Sequence, residues 1–471
     1  MQIPFDNSYA KLPPQMYTAQ LPTPVDAPHL IAANADLAII LGIDPAELTT
    51  PAAAQVFAGN HIPDGAAPLA QVYAGHQFGN WNPQLGDGRA VLLGEVIGTD
   101  GLRRDIQLKG SGPTPYSRSG DGRAWLGPVM REYLVSEAMH AMGVPTTRAL
   151  AAVTTGEDVY REERLPGAVI ARVAQSHIRV GTFQFFASRG DITALHALTD
   201  HVIARHYPQA NGPAELLDLV IARYAKLIAN WMGLGFIHGV MNTDNVSIAG
   251  ETIDYGPCAF MDGFHPDSVF SAIDQYGRYA YSNQPAIGAW NMAQFATALI
   301  PLMPDREAAI EGFTVAVHRM PGLYEAEWLA VFGAKLGISD PVEDDRLLIH
   351  DLLDMMAKDG ADFTNTFANL SSTKARDQFI DGDAFDAWTA RWHLRKSDDA
   401  QSIMARANPQ IIPRNHRVEE VISAGRAGDY APFHALLDAI TNPYTTLTEA
   451  TAVFARAPTK DEQVTRTFCG T

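Results

Sequence analysis

The chain has 471 residues, 46% of them hydrophobic and 19% charged, which is an ordinary globular composition and enough for two or three lobes. A formal net charge of −18 and a pI near 5.2 argue against nucleic acid as a partner, because an acidic surface repels phosphate backbones. The sequence has no signal-peptide pattern, no apolar run long enough to cross a membrane, and too few cysteines for a disulfide scaffold. We expect a cytoplasmic monomer without membrane partners.

Residues 1–70 are rich in Pro and Ala and predict an irregular extension with one short helical pattern over 29–43. A β-rich segment follows over 71–185. Its predicted elements, in chain order, are strands Ala90–Ile97 and Arg103–Lys109 around a GTDG turn, a helix over 127–143, and strands within 147–155 and 167–173. This order is that of the N-lobe of a protein kinase.

Helical periodicity dominates the rest of the chain, beginning with a strong helix over 214–235. Further helices are predicted near 290–302, 306–318, 324–336, 345–358, 374–394, 416–425 and 430–440. We assign 186–320 to a kinase-like C-lobe and 321–471 to a helical C-terminal extension with a terminal cysteine. The predicted fold is α+β: a protein-kinase-like bilobal fold with an N-terminal extension and a helical C-terminal tail.

The sequence GDGRA occurs at 86–90 and again at 120–124. In the first copy, Gly86 and Gly88 allow the backbone to approach phosphate oxygens, and Lys109, at the end of the next strand, would neutralise phosphate charge. Coincidence between two Gly-Asp turns, with a surface lysine on a hairpin, explains the same residues. The residues alone leave both interpretations open.

A kinase lysine in this position pairs with a glutamate on the following helix, and the predicted helix carries two. Glu132 and Glu137 are five residues apart, so both cannot face Lys109 well. Periodicity does not choose clearly between them. We predict that Glu132 forms the ion pair and that Glu137 lies on the solvent face of the helix.

The segment HGVMNTDN matches the kinase catalytic loop H-R-D-x-x-x-x-N at His238 and Asn245, but has Val240 in place of the catalytic Asp. Further on, Asp254 lies in IDYG, which has the apolar–Asp–aromatic–Gly shape of the metal-binding D-F-G. Amide and carboxylate oxygens suit Mg²⁺. We predict that Asn245 and Asp254 bind metal and that the spacer VSIAGETI is hairpin-like.

Four arginines lie close to these motifs: Arg118 and Arg123 in PYSRSGDGRAW, and Arg172 and Arg179 in IARVAQSHIRVGTF. Arginine is the usual planar partner of phosphate oxygens. Each one alone is more often a surface charge, but their clustering around glycine turns favours phosphate binding.

The two cysteines are Cys258, which is close to Asp254 in sequence, and Cys469, which is third from the end. Two reduced thiols are the general expectation in the cytosol. A terminal cysteine is nevertheless well placed for reversible pairing with a thiol near the metal site.

Long segments of the chain resemble the selenoprotein O family of protein adenylyltransferases, which have a pseudokinase fold. The segments are NSYAKLP, PTPV, YAGHQFGNWNPQLGDGRAVLLGE, LKGSGPTPYSRSGDGRAWLGPVMREYLVSEAMHAMGVPTTRAL, HGVMNTDNVSI and DYGPCAFMD. The resemblance implies that AMP is transferred from ATP to protein hydroxyl groups with Mg²⁺ or Mn²⁺. It also implies that the nucleotide is reversed relative to a kinase, so that the α-phosphorus is the electrophile. UMP transfer from UTP is a variant of this activity.

The resemblance also assigns roles to residues. It implies nucleotide contacts for Gly86, Gly88, Arg89, Lys109, Asp121, Gly122, Arg172 and Arg179. It implies metal binding by Asn245 and Asp254, a base at Asp244, and a Glu132 partner for Lys109. The family further suggests a Cys258–Cys469 disulfide; some members have selenocysteine where this chain has Cys469, so we expect lower reactivity here.

A reversed nucleotide would explain Val240, because the reacting phosphorus would no longer face the usual Asp position. Transfer at phosphorus depends mainly on positioning and charge neutralisation, so a base contributes less than metal and cations, and Asp244 would serve in place of the usual Asp. Two alternatives remain at this point: a kinase that transfers the γ-phosphate, and an inactive pseudokinase scaffold that binds nucleotide. The sequence leaves the role of His76, in YAGHQFG, open.

Overall fold

The computed structural model describes residues 1–468, which form a mixed α/β structure with one large antiparallel sheet and many helices. The strands are β1 (Tyr17–Ala19), β2 (His29–Ala33), β3 (Leu69–Gln77), β4 (Asn80–Gly86), β5 (Ala90–Ile97), β6 (Arg103–Lys109), β7 (Ala124–Trp125), β8 (Arg148–Tyr160), β9 (Arg164–Ala174), β10 (Phe236–Ile237) and β11 (Ala259–Phe260). The helices are α1 (Ala35–Ile40), α2 (Pro51–Phe57), α3 (Leu126–Ala141), α4 (Val180–Arg189), α5 (Ile192–His206), α6 (Pro213–Gly233), α7 (Gln284–Leu299), α8 (Arg306–His318), α9 (Met320–Lys335), α10 (Asp345–Asp359), α11 (Phe363–Ala368), α12 (Gly382–His393), α13 (Ala400–Ala407), α14 (Asn415–Arg426), α15 (Ala431–Ile440) and α16 (Ala452–Ala455).

Within residues 1–468, nine strands form the large sheet in the order β1-β3-β5-β6-β9-β8-β2, with β4 added to β3 and β7 to β9. The β5–β6 hairpin has the predicted bounds and pairs Ala90 with Lys109. In the next pair, Gln107 lies opposite Arg172. Because side chains alternate along a strand, Gln107, Lys109 and Arg172 share one face of the sheet.

The N-terminal segment contributes more regular structure than its composition predicts. Its strands β1 and β2 are the two ends of the sheet path, where β1 pairs with β3 and β2 with β8. The helical pattern over 29–43 is wrong in its first half, which is β2, and right in its second, which contains α1. Asn34 separates the two by accepting a hydrogen bond from the Leu37 N–H as the N-cap of α1.

Helix α3 ends close to where the sequence predicts. Gly143 adopts a left-handed conformation (φ 80°), as expected for a glycine that follows a helix. The C-terminal helices α14 and α15 pack on α3, where Tyr133 and Phe433 have ring centroids 5.6 Å apart and Arg131 forms an ion pair with Glu419. The C-terminal segment therefore holds the helix that carries Glu132.

The helical predictions beyond residue 200 differ from the structure mainly at their ends. Helix α8 has the predicted bounds, whereas the pattern over 374–394 divides into a 3₁₀ turn (Thr373–Gln378) and α12. The spacer between Asn245 and Asp254 is not a hairpin; its isolated bridges join Ser247 to Arg179 and Thr252 to Thr146. Residues 1–468 contain no helix that is long and apolar enough to cross a membrane.

Candidate active site

Three cations and two carboxylates from five different parts of the chain meet beside the sheet. The Lys109 ammonium lies 2.6 Å from Glu132 Oε2 and 2.9 Å from Asp254 Oδ1. Arg172 contacts the same carboxylates, at 3.2 Å from Glu132 and 2.6 Å from Asp254. Arg179 lies 2.6 Å from the other oxygen of Asp254. Glu132 thus occupies the position predicted for the partner of Lys109.

Glu137, in contrast, is not on a solvent face, and that prediction is wrong. It is buried and accepts hydrogen bonds from the Arg148 guanidinium, the Ala149 N–H and the Asn34 amide. Its role is to join α3 to β8 and to the start of α1. Periodicity missed this because both sides of α3 are covered, one by the sheet and one by α14 and α15.

The cluster of cations controls the protonation of both carboxylates. Burial alone would raise the pKa of Asp254, but Lys109, Arg172 and Arg179 outweigh it and hold the pKa well below its ordinary value. For Glu132, burial is likewise outweighed by Lys109 and Arg172, so its pKa is lowered. Both groups are therefore carboxylates at neutral pH, and the site has one more cation than anion.

Asp254 has a strained backbone conformation. Its φ of 66° lies in the left-handed region, which costs a residue with a side chain about 1–3 kcal/mol unless its surroundings hold it there. The preceding residue, Ile253, is fixed by a hydrogen bond from His238 Nε2 to its carbonyl at 2.8 Å. His238 Nδ1 accepts the Val240 N–H at 3.3 Å, and this pair of bonds defines the tautomer. His238 thus supports the loop that carries Asp254.

Asp244 and Asp254 are joined through one terminal nitrogen of Arg179, which contacts both residues. The Arg179 guanidinium donates to the Asp244 main-chain oxygen at 2.5 Å, and Gln77 Nε2 donates to its Oδ2 at 3.0 Å. The other carboxylate oxygen, Oδ1, is buried and has no hydrogen-bond partner in residues 1–468. Burial raises the pKa of Asp244 to about 6. A buried carboxylate with one unengaged oxygen is suited to accept a proton.

A close backbone approach makes room for this carboxylate. A Cβ atom at Gly75 would lie 2.8 Å from Asp244 Oδ1, so any larger residue at position 75 would displace the Asp244 side chain. His76, the next residue, is packed between Trp81 and Trp290 and accepts a hydrogen bond from Gln184. Burial is the main cause of its lowered pKa. The question left open by the sequence therefore has a structural answer: His76 is a packing residue behind the loop.

The predicted metal ligands offer two oxygen donors. The Asn245 amide nitrogen donates to the Val240 carbonyl at 3.0 Å, which directs the amide oxygen away from that contact. In residues 1–468 no group of three or more His, Cys, Asp and Glu side chains is arranged as a metal site. Two protein oxygens nevertheless fit Mg²⁺, which commonly takes its other ligands from water and substrate phosphates.

The first GDGRA copy forms a packed turn before β5. Its aspartate, Asp87, is buried and accepts hydrogen bonds from the Gln71 N–H and from Gln107 Nε2, and burial raises its pKa to about 6. Gly88 lies close to the 114–117 turn, where a Cβ would come within 2.8 Å of a main-chain oxygen. The Arg89 side chain is half-buried. The Arg89 main-chain carbonyl accepts a hydrogen bond from the N–H of Gly110, the residue that follows Lys109.

The second copy differs from the first. Asp121 is exposed and pairs with Arg161 at 2.8 Å, which lowers its pKa. Gly122 has φ 65°, and its carbonyl oxygen accepts a hydrogen bond from the Gly112 N–H. Arg123 donates to the main chain at Thr23 and Pro24 rather than pointing to the cluster, and Arg118 is exposed. Of the four arginines, Arg172 and Arg179 are therefore the two that join the cluster.

Several polar residues that support the cluster belong to none of the sequence motifs. Gln107 accepts from Arg172 Nε at 2.7 Å and donates to Asp87, and Tyr73 has the Arg179 guanidinium 4.8 Å above its ring. Gln77 holds Asp244. In the sequence, Gln107 could be connected to the site only because it lies two positions before Lys109 in the same strand, which places both side chains on one face.

The predicted Cys258–Cys469 disulfide depends on a residue outside the described range. Cys258 is buried, and its Sγ lies 3.6 Å from the Tyr255 carbonyl oxygen. The Thr467 hydroxyl donates to the Pro257 carbonyl at 2.6 Å, so the last described residues run beside the segment that follows Asp254.

Comparison with known proteins identifies the class. The sequence model described as "Protein adenylyltransferase SelO" matches residues 1–441. The protein nucleotidyltransferase YdiU of Ruegeria pomeroyi is 62% identical over 471 residues, covering 100% of this chain and 99% of the relative. The protein of the same name from Roseobacter denitrificans is 64% identical over 470 residues, covering 99% of both.

Both relatives are named protein nucleotidyltransferases, enzymes that transfer a nucleotide to a protein. The chain belongs to the SelO family of protein adenylyltransferases. The resemblance found in the sequence motifs is thereby confirmed over almost the whole chain.

Proposed function

We propose that this protein transfers AMP from ATP to Ser, Thr or Tyr hydroxyls of other proteins. The observation that carries the proposal is the convergence of Lys109, Arg172 and Arg179 on Asp254, with Asp244 bound to the same Arg179. Three buried cations can offset part of the charge of a triphosphate, and their fixed positions mean that little reorganisation is needed during transfer. UTP is a second donor with the same triphosphate.

In the proposed reaction the acceptor hydroxyl attacks the α-phosphorus and the bond to the β-phosphate oxygen breaks. Pyrophosphate leaves, held by the cations, and the hydroxyl proton passes to the Asp244 carboxylate. Glu132 keeps Lys109 in position. The assigned glycines, Gly86, Gly88 and Gly122, with Arg89 and Asp121, would contact the nucleotide from the two GDGRA turns. Val240 needs no chemical role in this arrangement.

Asn245 and Asp254 would hold the divalent cation, Mg²⁺ or Mn²⁺. When bound, the cation supplies charge neutralisation on the phosphate oxygens. Asp254 would exchange part of its contact with the three cations for the metal, which would free guanidinium and ammonium groups for phosphate.

The fold supports the same proposal at a coarser level. The order of elements agrees with a kinase-like bilobal fold: a sheet carries Lys109, the next helix carries its partner Glu132, and a helical part follows. The two lobes would lie near 71–185 and 186–320, between the N-terminal and C-terminal extensions. The closest competing activity is γ-phosphate transfer from the same site.

The test uses ATP labelled either at the α- or at the γ-phosphate, with Mn²⁺ and a mixture of acceptor proteins. We expect label from α-labelled ATP only, together with an AMP-sized mass increment on the acceptor. Label from γ-labelled ATP would identify a kinase. Nucleotide-dependent thermal stabilisation without any covalent label would identify an inactive scaffold.

A further inference from the structure

A cavity of about 610 Å³ lies beside the catalytic loop and has no part in nucleotide binding as proposed above. Its walls are the tip of the β3–β4 hairpin, including Phe78 and Asn80, the segment 273–278, and the first turn of α7. This segment follows Asp254 in the chain and precedes α7.

Hydrogen bonds join the cavity walls to the candidate base. The Phe78 N–H donates to Asn242 Oδ1 at 2.9 Å, and the Tyr279 hydroxyl donates to the same oxygen at 2.6 Å. Asn242 is two residues before Asp244, and Gln77, next to Phe78, donates to the Asp244 carboxylate. The walls of the cavity are therefore held to the loop that carries Asp244.

The cavity contains a cation without a carboxylate partner. Arg278 enters no ion pair within residues 1–468, and its buried Nε makes no hydrogen bond there. Its guanidinium lies 4.8 Å from the Trp290 ring centroid, which fixes its plane. The one carboxylate in the lining, Asp274, is engaged by the main-chain N–H groups of Arg278 and Tyr279 at 3.0 and 2.8 Å. In a chain of net charge −18, such a cation is complementary to an external carboxylate.

Apolar side chains complete the rim. Tyr276 is 96% exposed and Ile273 is 58% exposed, on the same segment as Arg278. Exposed aromatic and aliphatic groups around an arginine are typical of the central part of a protein-binding surface. A nucleotide would not need these groups, whereas a polypeptide would bury them.

We propose that this cavity binds the acceptor protein, as a segment that carries an Asp or Glu side chain near the hydroxyl that receives AMP. Arg278 pairs with that carboxylate, and Tyr276 and Ile273 cover the flanking residues. This assignment rests on the proposed transferase function and names the substrate chemistry that the site selects.

The experiment uses synthetic peptides that each contain one Tyr, Thr or Ser, flanked by Asp, Ala or Lys, with α-labelled ATP and Mn²⁺. We compare the full-length protein with Arg278→Glu, Arg278→Lys and Tyr276→Ala. Tyr160→Ala is the matched control, because Tyr160 is also exposed (72%) but lies on β8, outside the cavity lining. The ATP-induced shift in melting temperature is measured for each variant and is expected to stay unchanged.

The unmodified protein should label Asp-flanked peptides about fivefold faster than Lys-flanked ones, which is the size expected for one partly buried ion pair. Arg278→Glu should reverse this preference, Arg278→Lys should keep it, and Tyr276→Ala should slow all peptides. Tyr160→Ala should change nothing. Equal labelling of Asp- and Lys-flanked peptides, or a preference that survives Arg278→Glu, would overturn the docking assignment and leave the transferase function standing. The absence of label from every peptide would count against the transferase function and remove the docking assignment with it.

Discussion

The Lys109 ammonium lies 2.9 Å from Asp254, although 145 positions separate the two residues in the chain. Arg172 and Arg179 reach the same carboxylate, so one anion holds three buried cations together. Burying so many charges is costly unless each is paired, and Asp254 serves as the shared partner. In the proposed function, substrate phosphates and a divalent cation take over part of that pairing.

Replacing Asp254 with Asn separates its proposed role as a metal ligand from its role as the shared partner of three cations. Transfer should fall by about 100-fold or more, because a metal ligand is lost. ATP binding without divalent cation should instead become tighter, since the three cations lose their protein partner. The measurement is the ATP-induced shift in melting temperature in the presence of a chelator. Asp218→Asn removes one exposed carboxylate that pairs with Arg319 and is the control for a change of one charge. Full transfer activity in Asp254→Asn would refute the metal assignment.

Glu132 and Glu137 form a matched pair on α3, since both are buried and each binds an arginine. Glu132→Gln should reduce transfer about tenfold or more while binding of acceptor is unchanged, because Lys109 loses its fixed position. Glu137→Gln should lower the melting temperature and leave the activity of the folded protein intact. Initial rates and thermal unfolding of both variants test this. Equal losses of activity would show that the ion pair of Lys109 has no special role.

Asp244→Asn should remove the proton acceptor with little change in shape. A positioned base contributes about 10²- to 10⁴-fold, so transfer should fall within this range. ATP binding should be retained, because Arg179 contacts the main-chain oxygen of Asp244 rather than its carboxylate. Single-turnover rates at saturating ATP measure the effect. Unchanged rates would assign Asp244 to loop structure alone.

The raised pKa of Glu251 leads to a prediction of how the free energy of unfolding depends on pH. It is buried, accepts the Gln175 N–H at 2.9 Å, and burial raises its pKa to about 8. The folded protein therefore keeps a proton that the unfolded chain has lost between about pH 4.5 and 8, so stability falls as pH rises through this window. The slope for one group is about 1.4 kcal/mol per pH unit at most.

The variant Glu251→Gln isolates this effect. Its free energy of unfolding should fall less than that of the unmodified protein between pH 6 and 8. The comparison cancels other groups, including buried Lys335, whose pKa is lowered to about 7 by burial. Equal pH dependence in chemical denaturation of both proteins would contradict the prediction.

Local sequence signals predicted those parts of the fold that depend on neighbouring residues. The β5–β6 hairpin was predicted to the residue because GTDG marks the turn and apolar residues fill both strands. Helix α8 was also correct, since Asp305 caps its first turn by accepting two N–H groups. The strands β1 and β2 were missed because they are short and take their stability from pairing with β3 and β8, far along the chain.

In the candidate site, too, residues within motifs were predicted and contacts between distant segments were not. Lys109 and Asp254 were found from their motifs, Glu132 as the preferred one of two glutamates and Asp244 from the family resemblance, and the structure brings the four residues to one place. The burial of Glu137 could not be predicted, because the groups that bind it, Arg148, Ala149 and Asn34, come from β8 and the start of α1 and not from α3 itself. Asp87 and Asp121 share one local sequence but differ in exposure, because the partners Gln107 and Arg161 come from other strands and turns.

The orientation of ATP tests the central claim most directly. A crystal structure of the full-length protein with Mn²⁺ and a non-hydrolysable ATP analogue would show it. We predict that Lys109, Arg172 and Arg179 surround the triphosphate, with the α-phosphorus the nearest to the Asp244 carboxylate. A complex in which the γ-phosphorus is nearest to Asp244, or in which the triphosphate lies away from the three cations, would contradict the account.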